Sequence, residues 1–210
     1  MSRKGRIPNF GRGKAAQNAQ RRYLREREPE TKRIEKKREA TADIVSMCIL
    51  VALNKDFGLG EARLQRVADR AGAVAEQFDL NNKGVGWIKA KKKLDEDISD
   101  VFSGNFVLPV IVTPKKPREW AYLSEQRDAA DTVVKFYVKA LREVMGFGKD
   151  RTAAFVRAVE REYKGFGDWA KDGDYYGYHK LARDMSVILH TEMMVDESEA
   201  SEPIFGRTLD

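Results

Sequence analysis

Two short segments of this 210-residue chain carry glycine and arginine at a spacing that suits phosphate binding. The segments are Gly58-Leu59-Gly60 with Arg63 three residues later, and Gly146-Phe147-Gly148 with Arg151 three residues later. A helix that begins directly after such a glycine pair presents unpaired backbone N–H groups and the positive end of its dipole, unobstructed by side chains. An arginine in the first turn adds a charged donor. Both corners are therefore predicted phosphate-binding sites.

The same corners have a purely structural explanation. The first glycine of each pair ends a helix in the left-handed conformation, and the second lets two helices approach closely. Leu59 and Phe147 then make the apolar contact that is usual at a helix end. In this alternative each arginine is kept for an ion pair, for example with Asp43 or Asp131. The residues alone leave both interpretations open.

The two corners belong to a longer internal repeat. Shifting the chain by 88 residues places nine residues between positions 42 and 78 on identical residues, where chance at ordinary residue frequencies gives roughly two. After one deletion, an offset of 87 aligns Lys93, Leu94 and Asp97 with Lys180, Leu181 and Asp184. A repeat of this length predicts two copies of one structural unit.

The elements that must position the corners are helices. Apolar spacing predicts an all-α protein of two tandem three-helix repeats, residues 41–100 and 119–194. The expected helices are Ala42–Phe57, Leu64–Phe78 and Val85–Ser99 in the first repeat, and Glu119–Met145, Lys149–Tyr163 and His179–Met194 in the second. A turn is predicted at Asn81–Gly84, and a loop at Gly165–Tyr178. Residues 101–118, rich in valine and proline, are predicted to form an extended connector across both repeats.

Charge is concentrated at the two ends of the chain. Residues 1–40 hold fourteen Lys and Arg against five Asp and Glu, and residues 192–210 hold six acids against one arginine. We expect residues 1–16 to be disordered, a solvated helix between Gln17 and Glu39 interrupted near Pro29, and a disordered acidic tail over 195–210. Such a basic arm suits salt-sensitive, sequence-independent binding of nucleic acid. The arm residues predicted to contact it are Arg3, Lys4, Arg6, Arg12, Lys14, Arg21 and Arg22.

Other chemistry finds little support in the residues. The single cysteine, Cys48, excludes an internal disulfide framework, and its apolar surroundings predict a buried side chain rather than a nucleophile. His179 and His190 lack neighbouring ligands at metal spacing. Asp43 and Asp131 recur in the repeat, but repeated acids are more typical of caps and ion pairs than of catalysts. We therefore expect no enzyme activity, no metal and no cofactor.

The corners resemble the helix-hairpin-helix DNA-binding motif, in which Gly-hydrophobic-Gly precedes a helix. The resemblance rests on Gly58-Leu59-Gly60 and Gly146-Phe147-Gly148 and spans about twenty residues in each copy. It implies that backbone amides of both corners bind DNA phosphates without regard to sequence, and that the two copies pair about a pseudo-two-fold axis. The chain departs from the motif in its longer first helix, and in Leu64 and Thr152 where a small residue is usual.

A second resemblance is broader. The phrase Ala-Leu-x(4)-Gly-[Leu/Phe]-Gly-x-x-Arg is similar to small helical proteins, uncharacterised as a group, that are encoded by phages and prophages of Gram-positive bacteria. It implies an accessory role in a mobile element and no known activity.

The residues and resemblances together predict a non-enzymatic, sequence-tolerant nucleic-acid-binding accessory protein of a phage or mobile element. Its expected partner is DNA or RNA, and its expected location is the cytoplasm of a bacterial host, since no signal peptide or membrane span is seen and no membrane partner is expected. The alternative is a protein-interaction module, either an inhibitor of a host factor or a virion or scaffold component. A small nuclease using Asp43 and Asp131 is a third interpretation.

Overall fold

The computed structural model describes residues 29–173 and 175–195, which contain six α-helices and no β-strand. The helices are α1 (Glu30–Phe57), α2 (Glu61–Val85), α3 (Trp87–Ile98), α4 (Pro117–Met145), α5 (Lys149–Ala170) and α6 (Tyr176–Leu189). The predicted all-α class is confirmed for this part of the chain. The chain divides into two units after Lys36, and the described hydrophobic core lies entirely in the second unit, from Lys37 onward.

Helices α1 and α4 lie beside each other and run in the same direction. Near the beginning of the unit, Arg38 donates a hydrogen bond of 2.7 Å to Glu125. Farther along both helices, Tyr137 and Ser46 share a hydrogen bond. The middle of α1 is enclosed on all sides, as its continuous apolar pattern predicted: Ile44, Val45, Cys48, Ile49, Val51, Ala52 and Leu53 have no exposed surface.

Helix α3 also lies parallel to α4, along a series of ion pairs. Lys91 contacts Asp128 and Asp131 at 2.7 and 2.9 Å. Two turns farther along α3, Asp97 pairs with Lys139. Helix α2 packs against both α3 and α4, with buried residues at steps of three and four: Leu64, Val67, Ala71, Val74 and Phe78. The first three helices therefore complete their core with a helix of the second half.

The second half likewise packs against a helix of the first half, because α1 contacts α5 and α6. Lys55, near the end of α1, pairs with Glu162 of α5 at 3.2 Å and with Asp184 of α6 at 3.0 Å. One contiguous cluster of buried apolar residues includes side chains from all six helices. Residues 41–100 and 119–194 thus share a single core within the unit that begins at Lys37.

The turn predicted at Asn81–Gly84 is wrong. These residues continue α2, and the chain reverses at Gly86, whose φ of 84° ends α2 and begins α3 within one residue. The Gly86 N–H donates to the carbonyl of Asn82 at 2.8 Å, so the helical hydrogen bonds run through the predicted turn. Asparagine and glycine weaken a helix by only about 1 kcal/mol or less each, which the surrounding packing offsets.

The loop predicted at Gly165–Tyr178 is also wrong over most of its length, since α5 continues to Ala170 and α6 begins at Tyr176. Two of its glycines provide space for neighbouring side chains rather than a turn. A Cβ atom at Gly167 would overlap the Ile111 side chain, and one at Gly177 would come within 2.8 Å of the Phe166 ring. Small residues at these helical positions let neighbouring side chains lie against the backbone.

Three other boundaries differ from prediction. Helix α1 begins at Glu30, directly after Pro29, and continues without a break through the position predicted to start a new helix at Ala42. Helix α6 ends earlier than predicted, at Leu189, where His190 takes a left-handed conformation with φ of 50°. The connector has no regular structure before α4 begins at Pro117, and it buries Phe106 and Leu108. The predicted disorder of residues 1–16 and 196–210 lies outside the described residues.

Candidate nucleic-acid interface

The first glycine of each corner ends a helix in the left-handed conformation. Gly58 has φ of 62° and Gly146 has φ of 61°, so both follow the predicted role. The next N–H reaches back six residues in both corners, from Leu59 to the Leu53 carbonyl and from Phe147 to the Leu141 carbonyl, each at 3.2 Å. Leu59 and Phe147 are 5% exposed and belong to the core. The structural explanation therefore accounts fully for the first glycine and the apolar residue.

The second glycine is not accounted for in the same way. Gly60 and Gly148 have φ of −76° and −87°, which any residue adopts. A Cβ atom at either position would meet nothing within 4 Å, so no neighbouring helix approaches there. The expectation that this glycine permits close helix packing is wrong. Each is the N-cap residue of its helix and provides no side-chain cap, although Ser, Thr, Asp or Asn is the stronger choice at that position.

These open caps leave the beginnings of α2 and α5 accessible. The Gly60 carbonyl accepts from the N–H of Leu64 at 3.0 Å, and the Gly148 carbonyl accepts from that of Thr152 at 3.0 Å. In the first corner the Arg63 N–H also donates to the Gly60 carbonyl, at 2.9 Å, so the N–H groups that remain without a partner in the helix are those of residues 61 and 62, at the positive end of the dipole. The residues on the first turns are exposed, so an anion can reach the backbone directly.

Arg63 and Arg151 close the corners rather than extend from them. Arg63 Nη2 donates to the Gly58 carbonyl at 3.0 Å, and Arg151 Nη2 donates to the Gly146 carbonyl at 2.5 Å. The Arg151 guanidinium also lies 4.9 Å from the Phe147 ring centroid. Both side chains are exposed, and a guanidinium has five N–H donors, so each arginine keeps donors that face solvent.

The alternative ion pairs of these arginines do not form. Asp131 is 3% exposed, accepts a hydrogen bond from the Phe106 backbone N–H at 2.8 Å, and pairs with Lys91 and Lys135 at 2.9 Å. Asp43 is exposed on α1. The two aspartates therefore have different surroundings and do not form a matched pair of acids.

The two corners meet at one end of the α1–α4 pair. The ring of Phe57, which directly precedes the first corner, lies 5.3 Å from the ring of Phe147 in the second, with 42° between their planes. The corners nevertheless differ in charge. Lys149 joins Arg151 in the first turn of α5 against one acid, Asp150, whereas the corresponding turn of α2 carries Glu61 and Arg63. The second corner is therefore the more positive.

A buried charge cluster escaped prediction from the sequence. Lys135 is 1% exposed and contacts Asp131 at 2.9 Å, Asp95 at 2.7 Å and Asn105 at 3.0 Å. The sequence does carry a signal for it, because Lys135 interrupts the apolar run from Val133 to Val138. A buried lysine is tolerated only when paired. The cluster joins α3, α4 and the connector, and all its charges are matched within the protein.

The remaining predicted site residues have no described position. The basic residues of the N-terminal arm, Arg3, Lys4, Arg6, Arg12, Lys14, Arg21 and Arg22, lie outside the described residues.

Cys48 is buried, and burial raises the pKa of its thiol. Among residues 29–173 and 175–195, no group of three or more His, Cys, Asp or Glu side chains is placed to hold a metal ion. No helix of this part is long and apolar enough to cross a membrane.

Comparison with known proteins adds no relative: no protein-family model, curated protein or solved structure matches the chain.

Proposed function

We propose that the chain is a non-enzymatic protein that binds nucleic acid through its phosphates, without regard to sequence, at the two glycine corners. The observation that carries this proposal is the identity of Gly60 and Gly148. Neither backbone conformation nor packing requires glycine there, and each glycine leaves a helix start uncapped and open. An approaching phosphate explains both features, because it needs a bare backbone and free N–H groups.

The spacing of the corners supports one continuous ligand rather than two separate anions. Their apolar residues touch through Phe57 and Phe147, so both helix starts lie at the same end of the molecule. A nucleic-acid backbone carries regularly repeated phosphates and can contact both. The arm, with nine arginines and lysines before residue 29, adds charge without defined positions.

We also infer that the two halves are copies of one unit. Helices α1 and α4 end 88 residues apart, and α2 and α5 begin 88 residues apart. Asp97 and Asp184, which the repeat aligns, each pair with a lysine on the first helix of the opposite half, Lys139 or Lys55. This arrangement suits a pseudo-two-fold pair, as the helix-hairpin-helix resemblance implies. The accessory role in a mobile element rests on the resemblance to phage and prophage proteins alone.

Serine at Gly60 and Gly148 tests the proposal. Serine fits both positions, and its hydroxyl accepts from the helix N–H groups that a phosphate would use. We expect the double variant Gly60→Ser, Gly148→Ser to be at least as stable as the parent, but to bind duplex DNA about a hundredfold more weakly, because two charge-assisted contacts of about 1.5 kcal/mol each are lost. Fluorescence anisotropy over a salt series measures the affinity. Of the two single variants, Gly148→Ser is expected to weaken DNA binding more than Gly60→Ser, because its corner is more positive.

The control is Gly72→Ser, at an exposed position of α2 where a Cβ also meets nothing within 4 Å. If the parent chain binds DNA and the double variant binds it with the same affinity, binding would be assigned to the arm alone. If the full chain binds neither duplex DNA, single-stranded DNA nor RNA, the nucleic-acid proposal fails.

A protein-interaction role is the second candidate. It is favoured by three exposed valines of the connector, Val107, Val110 and Val112, which are 59%, 42% and 54% exposed. Such side chains contribute nothing to phosphate contacts and are typical of protein interfaces. This role predicts that changing all three valines to serine leaves DNA binding intact while abolishing capture of a protein partner.

A further inference from the structure

The sharp corner between α2 and α3 forms a second candidate surface, which we call the basic tip (residues 80–93). This segment carries five lysines and no acidic residue. It also carries three of the most exposed large apolar side chains in the described chain: Leu80 is 62%, Val85 54% and Ile88 84% exposed. The connector also combines exposed valines with basic residues alone, but it has no regular structure, whereas the tip presents these side chains from two helices.

The tip is held rigidly by Trp87. Its ring packs edge-on against Phe78 with centroids 5.0 Å apart, and Arg38 covers it at 5.0 Å. Gly86, with φ of 84°, then turns the chain within one residue, and residues 83–86 are all exposed. The tip is therefore a projecting corner on a fixed base, not a groove.

The lysines of the tip divide into one structural residue and four available ones. Lys91 is taken up by Asp128 and Asp131. Ile88, Lys89, Lys92 and Lys93 occupy the opposite, exposed face of α3, at helical steps of three and four. Lys92 has only a 3.7 Å contact with Glu96, and both side chains are more than 60% exposed. The exposed face thus offers cations around a protruding isoleucine.

We propose that the basic tip docks on an anionic membrane surface. Phosphate contacts alone would explain the lysines but leave Leu80, Val85 and Ile88 unaccounted for. A bilayer interface accepts both, since apolar side chains enter below the headgroups while lysines remain at the negatively charged surface. It also accepts a convex corner, which a protein partner would need a matching cavity to receive. The sequence predicted no membrane partner because no segment is long and apolar enough to span a bilayer. Docking at the membrane surface requires no spanning helix, so that prediction does not bear on it.

The tip is separate from the glycine corners. Trp87 lies at Arg38, and the first corner follows Phe57, about 28 Å farther along α1 at 1.5 Å per residue. Variants of the tip therefore leave the corners unchanged, and failure of one proposal is distinguishable from failure of the other.

The test measures co-sedimentation of the full chain with vesicles of phosphatidylcholine and phosphatidylglycerol in equal amounts, and with phosphatidylcholine alone. We expect binding only to the anionic vesicles, weakening with salt. Ile88→Glu should lower the affinity about tenfold or more, and Lys83→Glu with Lys89→Glu and Lys93→Glu about a hundredfold or more. Val187→Glu, at a 68% exposed position of α6, is the matched control and should change little. The N-terminal arm is present in every variant and contributes an equal background.

A second readout reports insertion directly. Because Cys48 is buried, a cysteine introduced as Ile88→Cys can be labelled selectively with an environment-sensitive fluorophore. Its emission should shift to the blue on anionic vesicles, while the same label at Val187→Cys should not. Equal vesicle affinity of the Ile88→Glu and Val187→Glu variants would overturn the proposal. So would a spectral shift with duplex DNA or an acidic polypeptide but none with vesicles, since the tip would then serve that partner.

Discussion

The side chain of Ile111, in the connector, lies directly against the backbone of Gly167, in the last turn of α5. Three carbon atoms of the isoleucine occupy the space that a Cβ at Gly167 would need. The connector is therefore fastened to the second half of the chain at a point where only glycine fits.

Gly167→Ala should destabilise the protein by about 2 kcal/mol, because overpacking displaces the whole Ile111 side chain. Gly165→Ala is the control, since a Cβ there meets nothing within 4 Å in the same helix, and it should instead stabilise by about 0.5–1 kcal/mol. Urea unfolding measures both. Adding Ile111→Ala to Gly167→Ala should remove the clash and recover part of the loss. Equal stability of the two glycine variants would show that the contact is not restrictive.

The first glycine of each corner should resist substitution more than Gly72, which lies within α2. Gly58→Ala and Gly146→Ala place a Cβ in the left-handed region, at φ of 62° and 61°, and each should cost about 1–2 kcal/mol. The control is Gly72→Ala in α2, where helix propensity predicts a gain of about 0.5–1 kcal/mol. Thermal unfolding of the three variants tests this order, and a neutral result at Gly58 and Gly146 would contradict the conformational role.

Asp128 should make stability depend on pH in the acid range. Burial raises the pKa of the Asp128 carboxyl, but hydrogen bonds and charges from Lys91 and Arg38 lower it by more. The pKa therefore lies below its ordinary value. A carboxyl whose pKa is lower in the folded than in the unfolded protein stabilises the fold above the unfolded pKa. That stabilisation disappears as pH falls through the folded pKa.

The variant Asp128→Asn isolates this contribution. It should be less stable than the parent at pH 7. The difference should begin to narrow below about pH 4, where the carboxyl of the unfolded chain takes up a proton, and should narrow further as pH falls through the lower pKa of the folded protein. Thermal unfolding between pH 7 and pH 2 measures the difference. Asp168→Asn, at an exposed acid paired with Lys171 on one helix, serves as the comparison and should change stability far less. A constant difference between Asp128→Asn and the parent at every pH would contradict the assignment.

Local patterns predicted the elements better than their ends. The apolar run of α1 and the three- and four-residue steps of apolar residues in α2 mark the faces that these helices bury. Such a face is present in the sequence whichever partner covers it, so both helices were predictable. The predicted boundaries are wrong where they rest on glycine as a turn residue. Gly84 lies within α2 and does not turn the chain. Gly167 makes room for Ile111, a neighbour more than fifty residues away that local sequence cannot identify.

The candidate site was predicted in part. Spacing alone located Gly58 and Gly146 and their left-handed conformation, because a helix end is a local event. It left a packing role open for Gly60 and Gly148, which the empty space around them does not support. The buried pairing of Lys135 with Asp131 was missed, since a charge is recognisable as buried only when its partner is known.

By itself the sequence determined the helical class, the two glycine corners, the internal repeat pattern and the uneven charge, because these follow from periodicity and local chain geometry. The tertiary structure decided which helices meet. It placed α1 beside α4, exchanged their ion-pair partners between halves, and brought Phe57 against Phe147. Amphipathic helices specify that a face is to be buried but not against which partner, and only the complete set of packed side chains selects one arrangement.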